Sequence, residues 1–132
     1  MSDQYPTLAR PSNPATSYAE AVARIEALQA TDGADVRPDS RTQFWAQGQQ
    51  AERALVYYHG YTNAPPQFKL LGEQLSQQGY NVLVPRLPYH GLQDPLTKEQ
   101  ANLTAEKMAQ MTQDTVDIAR GLGKQVTIVG LS

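Results

Sequence analysis

Val126-Thr127-Ile128-Val129-Gly130-Leu131-Ser132 is the stretch on which the reading of this chain turns. A β-branched apolar run with no polar alternation suits a strand buried on both faces. Its passage into Gly-x-Ser is how a G-x-S-x-G nucleophile elbow begins, with the serine on a tight strand-to-helix turn and its hydroxyl held clear of the sheet. The motif is cut at its serine, so the expectation is an N-terminal fragment of a larger enzyme, inactive by itself. By chance alone, Gly-x-Ser is common, and the plain alternative for Ser132 is a turn residue or a helix N-cap.

Working back along the chain, Ala54-Leu55-Val56-Tyr57-Tyr58 and Val82-Leu83-Val84 are two more runs of the buried type. Between them, Pro65 and Pro66 suit a first helical turn, and Phe68, Leu71 and Leu75 follow at helical spacing until Gly79. Thr97 to Gln100 has capping-box spacing, and Met108, Met111, Val116, Ala119 and Leu122 mark a long helix ended by Gly121 to Gly123. The methionines fit a core stripe. Upstream, Ser17-Tyr18-Ala19-Glu20 is a capping box before Val22, Ile25 and Leu28, which predicts a helix over 17–30, and Thr42 to Ala46 suits a short strand. The order predicts an α/β fold with a mostly parallel sheet and helices on both faces. Residues 1–16, with Pro6, Pro11 and Pro14, are expected to form a flexible arm, and 17–132 the domain.

The loop after the first buried strand is His59-Gly60-Tyr61-Thr62-Asn63-Ala64-Pro65. Acyl transfer puts negative charge on a carbonyl oxygen, and a backbone N–H aimed there contributes on the order of 3 kcal/mol to transition-state stabilisation. Gly60 lets the chain bend so that the Tyr61 N–H serves as such a donor. An ordinary strand-to-helix connection is the plain alternative.

In this order, strand, His-Gly-Tyr-Thr-Asn, helix, Gly79-Tyr80-Asn81-Val82-Leu83-Val84-Pro85-Arg86-Leu87-Pro88-Tyr89-His90-Gly91, long helix, strand and Gly-Leu-Ser, residues 41–132 resemble the N-terminal half of an α/β-hydrolase. Within that superfamily they are most similar to the carboxylesterases and monoacylglycerol-lipase-like enzymes. The resemblance implies Ser132 as nucleophile and the Tyr61 amide as oxyanion donor, with an acid and a histidine supplied later in the chain. Tyr89 stands where glycine is commoner in that family. His59 and His90 both precede the serine, whereas triad members on this fold follow the order serine, acid, histidine, so they are assigned to loop support along with Gly60 and Thr62. Asp94, Asp114 and Asp117 also come too early, and the last two read as solvent-facing helix charges.

Composition narrows the partners. A net charge of −2 over 132 residues, with dispersed lysine and arginine, gives no footprint for nucleic acid. Without cysteine, and with two histidines far apart in sequence, neither a disulfide framework nor a metal centre is expected. No cofactor is expected either. The start lacks a signal peptide and no apolar run reaches the roughly 18 residues of a membrane span, so the expected location is cytoplasmic. The expected substrate is a small-molecule ester. Alternatives are a parent that is a serine peptidase or acyltransferase, or a non-enzymatic fragment that works through a partner. An apolar final strand left at a sheet edge would also favour self-association.

Overall fold

A computed structural model describes residues 11–131. Seven elements follow one another: α1 (Tyr18–Ala30), β1 (Gln43–Trp45), β2 (Ala51–Tyr58), α2 (Lys69–Gln77), β3 (Asn81–Val84), α3 (Ala105–Leu122) and β4 (Gly123–Gly130). The strands form one sheet in the order β1-β3-β2-β4. β2 runs parallel to both β3 and β4, and β1 is antiparallel to β3. This is the mixed α/β, mostly parallel architecture that the alternation of buried strands and helices predicts.

Alternation along β2 and β3 splits the core between the two faces. Ala54 and Leu83 pack with Ile25, Ile118 and Leu122 of α1 and α3. Leu55, Tyr57, Val82 and Val84 pack on the other side with Phe68 and Leu75, on the α2 side. Apolar burial on both faces is what makes these strands near-continuous hydrophobic runs. On the α2 face, β1 approaches so closely that a Cβ at Gly72 would lie 2.6 Å from the Trp45 ring, which only glycine tolerates.

Several boundaries differ from the sequence reading. Thr97 does not cap the long helix. Its hydroxyl accepts from Glu99 N ahead of a 3₁₀ turn, Glu99–Asn102, and Leu103 is extended. Thr104, with extended backbone and an Oγ1 accepting from Lys107 N at 3.2 Å, is the N-cap. The extended Leu103 is what prevents one continuous helix. Pro65–Phe68 form a 3₁₀ turn before α2, and its tighter winding shifts the phase of the following stripe. Leu71 is consequently 41% exposed, while Phe68 is buried. β4 has the sequence of a buried strand, yet among the described residues it is an edge strand with Ile128 48% exposed.

Asp117 is also corrected. It is buried, not solvent-facing, and its carboxylate accepts from Asn13 N at 2.9 Å, Ser12 Oγ at 3.3 Å and Gln113 Nε2 at 3.1 Å. Ala15 N donates to the Asp117 carbonyl at 3.0 Å. Residues 12–15, read from sequence as part of a flexible arm, are thereby tied to α3; residues 1–10 lie outside the described range.

Candidate functional site

The site is built where parallel strands end. Tyr58 of β2 pairs with Gly130 of β4, and Leu131 N donates to Tyr58 O at 3.1 Å. Segments following the two strands therefore leave the sheet side by side from its carboxyl end, where ligands bind in open α/β sheets. After β2 comes His59-Gly60-Tyr61; after β4 comes Leu131. Ser132 lies outside the described residues.

The β2 loop is held almost atom by atom. Asn63 N donates to Gly60 O at 2.9 Å, which closes a turn over 60–63. Gly60 N donates to Gln67 Oε1 at 2.9 Å, and the ring Nδ1 of His59 lies 3.0 Å from Gly60 O. Gly60 is buried, whereas Tyr61, Thr62 and Asn63 are exposed. Among the described residues, the Tyr61 N–H has no hydrogen-bond partner. A backbone donor without a partner beside a fully bonded neighbour is available to a ligand.

Two histidines lock this loop to the one after β3, each reaching across to the other's loop. His59 Nε2 accepts from Leu87 N at 3.0 Å. In return, His90 Nε2 bonds the carbonyl of Tyr61, and His90 Nδ1 lies 2.8 Å from Pro88 O. Both rings are buried, their centroids 5.3 Å apart, and the Tyr61 ring meets His90 edge-on at 5.4 Å. Every ring nitrogen faces a backbone group: His59 donates through Nδ1 and accepts at Nε2, whereas both His90 nitrogens face carbonyls, of which a neutral ring donates to one only. Burial pushes the His59 pKa down to about 4, with the Gly60 carbonyl opposing and the nearby His90 and Arg86 adding to the shift.

An ion pair anchors the second loop from below. Arg86 Nε donates to Asp32 Oδ1 at 2.8 Å, and Arg86 Nη1 reaches the His90 carbonyl at 2.9 Å. The other Asp32 oxygen accepts from Thr42 N at 2.8 Å, and Thr42 Oγ1 accepts from Arg86 N at 3.0 Å. Tyr89 adopts φ 65°, the left-handed region that favours glycine, and Gly91 adopts φ 68° two residues on. Tyr89 therefore holds a glycine-like backbone, and Lys107 Nζ lies 4.7 Å from the centre of its ring.

Of the residues singled out by sequence, His59, Gly60, Tyr61, Thr62 and His90 come together at one end of the sheet. Asp94, whose carboxylate accepts from Leu96 N, and Asp114, on the exposed side of α3, belong to other surroundings, although Asp94 reaches the rim of a cavity. That cavity, about 420 Å³ and polar, opens beside the β2 loop between Thr62, Asn63, Tyr89, Arg37 and Asp39. Gln67, Asp32 and Arg86 escaped the sequence reading. Gln67 sits in a short turn with no local motif, and Asp32 and Arg86 are 54 residues apart, so no spacing rule links them.

The geometry defines a class: a mostly parallel α/β domain with a hydrogen-bonded glycine loop and, among the described residues, a partnerless amide at the carboxyl end of its sheet. Among solved structures, this chain is similar to one reported under "LipS and LipT, two metagenome-derived lipolytic enzymes". The two share 25% sequence identity with a TM-score of 0.54, over 74% of this chain and 37% of that one. The chain thus spans well under half the length of the lipolytic enzyme it matches, and its fold is hydrolase-like at that level. No protein-family model and no curated protein matches it.

Proposed function

We propose that this chain belongs to a serine hydrolase of the α/β-hydrolase type, which cleaves carboxylic esters through an acyl-serine. Ser132 Oγ attacks the carbonyl carbon, and the developing oxyanion accepts from the Tyr61 N–H. The C–O bond to the alcohol then breaks, with the alcohol leaving protonated. Water attacks the acyl-serine, releasing the carboxylic acid and restoring the hydroxyl. Proton transfers need a base, and His59 and His90 are buried with every ring nitrogen facing a backbone group, so the acid and histidine are assigned to residues outside this sequence. By itself the 132-residue chain is expected to be inactive, since a nucleophile without its base retains only residual catalysis.

The single observation that carries this reading is the Tyr58–Gly130 register, which brings the chain entering Gly-Leu-Ser alongside the loop that holds the Tyr61 amide. Likeness to a lipolytic enzyme favours esters over the other acyl compounds that the same machinery could attack, peptides or non-water acceptors. The substrate is then a small-molecule ester, with no cofactor. Hydrolysis of p-nitrophenyl butyrate by the full-length gene product should fall by several orders of magnitude in Ser132→Ala. Equal rates would remove the nucleophile assignment.

A second reading is favoured by one observation, the exposed Ile128 on the edge of β4 that no strand among the described residues covers. An open apolar edge is a template for another strand, so the isolated chain would self-associate through β4. Light scattering on the isolated chain tests this, and a monodisperse monomer would dismiss it.

A further inference from the structure

Tyr61 does not position its own amide. Its N–H belongs to the peptide unit shared with Gly60, and in a planar trans unit the C=O and N–H point in opposite directions. The described residues contain no cis peptide. Whatever grips the Gly60 carbonyl therefore also aims the Tyr61 N–H, and two donors grip it: Asn63 N at 2.9 Å and the His59 ring at 3.0 Å.

From this geometry we infer that His59 is a positioning residue for the oxyanion amide, acting through the Gly60 carbonyl; the inference rests on the esterase reading above. The contact to Leu87 makes the ring's role specific. A backbone N–H can only donate, so His59 Nε2 must be bare where Leu87 N meets it, and the proton sits on Nδ1, facing Gly60 O. One bond fixes the tautomer and the other uses it. His59 is 2% exposed, so the ring is also held by its packing.

The remaining polar atoms of the two residues are consistent with this division. Gly60 N is bonded to Gln67 Oε1, and Tyr61 O to His90 Nε2, which restrains the next peptide unit. The carbonyls of both units flanking the Tyr61 Cα are thereby held by side chains from outside the turn, while the Tyr61 N–H, opposite the doubly held Gly60 carbonyl, has no partner among the described residues. Oxyanion donors act because they need no reorganisation when charge develops. A carbonyl gripped by a buried ring supplies that, whereas the turn bond from Asn63, on an exposed residue, is open to competition from water.

The test compares oxygen and thionocarbonyl esters of one acid and alcohol, in the full-length gene product and in His59→Ala and His59→Gln. Backbone donors placed for an oxyanion fit a larger, weakly accepting sulfur poorly, so the ratio of the two rates reports on the donor geometry alone. Expected is a loss of about 10- to 100-fold in kcat on the oxygen ester, with KM changed less than about threefold and the oxygen-to-sulfur ratio falling in step. A folded variant whose ratio matches wild type overturns the inference. Should neither variant fold, ring ¹⁵N shifts of His59 in the wild-type protein decide: a proton on Nδ1 is expected, and a proton on Nε2 overturns it. Absence of Ser132-dependent hydrolysis in the wild type would instead sink the esterase reading. Ser132-dependent hydrolysis with a ratio indifferent to His59 sinks only the positioning role.

Discussion

Leu131 N donates to the carbonyl of Tyr58 at 3.1 Å, one residue beyond the Tyr58–Gly130 pair that ends the β2–β4 ladder. The parallel register thus continues to the last described residue, and it places Leu131 against the start of the His-Gly-Tyr loop. Strand pairing, not loop chemistry, sets the spacing between the two halves of the proposed site.

Tyr61 should matter through its backbone. Tyr61→Pro removes the N–H and is expected to lower kcat on p-nitrophenyl butyrate by about 10²- to 10³-fold. Tyr61→Ala keeps the amide, and because the side chain is 52% exposed, it should stay within about fivefold of wild type. Equal losses in both variants would move the role to the ring.

Asp32→Ala should be strongly destabilising. It strands the Arg86 guanidinium in a site where its side chain is 11% exposed, and takes the acceptor from Thr42 N. Breaking one side of such a pair costs about 3–5 kcal/mol, readable as a lower urea midpoint. Because Arg86 also holds the His90 carbonyl, the second loop should loosen too, seen as faster amide exchange at Leu87 and His90.

Acid should weaken the fold through His59. Its folded pKa is about 4 against 6.5 for the free side chain. Between these values the unfolded chain binds a proton that the native ring excludes, so the contribution is complete above 6.5 and is lost as pH falls toward 4. It amounts to on the order of 2 to 3 kcal/mol. Glu20, held down to about 2 by its hydrogen bonds to Thr16 and by Arg24, acts in the same direction in a lower window. Urea midpoints measured from pH 7 to 4 should slope downward in wild type and flatten in His59→Gln.

Tyr89 offers a comparison of strain with contact. Tyr89→Ala and Tyr89→Gly both delete the contacts to Lys107, but only glycine relieves the φ of 65°. The glycine variant should be more stable than the alanine variant by about 1 kcal/mol, the reverse of the usual order in a loop. Thermal unfolding of the pair checks this.

Much of this was legible in the chain. Apolar runs without alternation at 54–58 and 82–84 announced strands covered on both faces, since only a two-sided core uses such sequences. Ser17 caps α1 as its local spacing predicts, with Glu20 N donating to Ser17 Oγ at 3.1 Å, but the Glu20 carboxylate accepts from Thr16 N at 2.9 Å and not from Ser17 N as a full capping box requires. Thr97 shows where that logic fails: the spacing was right, but an extended Leu103 moved the helix start to Thr104. Asp117 fails for another reason. A helix charge is solvent-facing by default, and only the docking of residues 12–15 makes it a buried acceptor.

Sequence alone determined the order of strands and helices, the glycine loop and the identity of its residues, because hydrophobic periodicity and turn chemistry act over a few neighbours. Tertiary structure decided that β4 lies beside β2 and not β3, that His59 and His90 cross-brace two loops 29 residues apart, and that Asp32 meets Arg86. Those contacts depend on which surfaces the sheet brings together, and no local pattern encodes a partner that far along the chain.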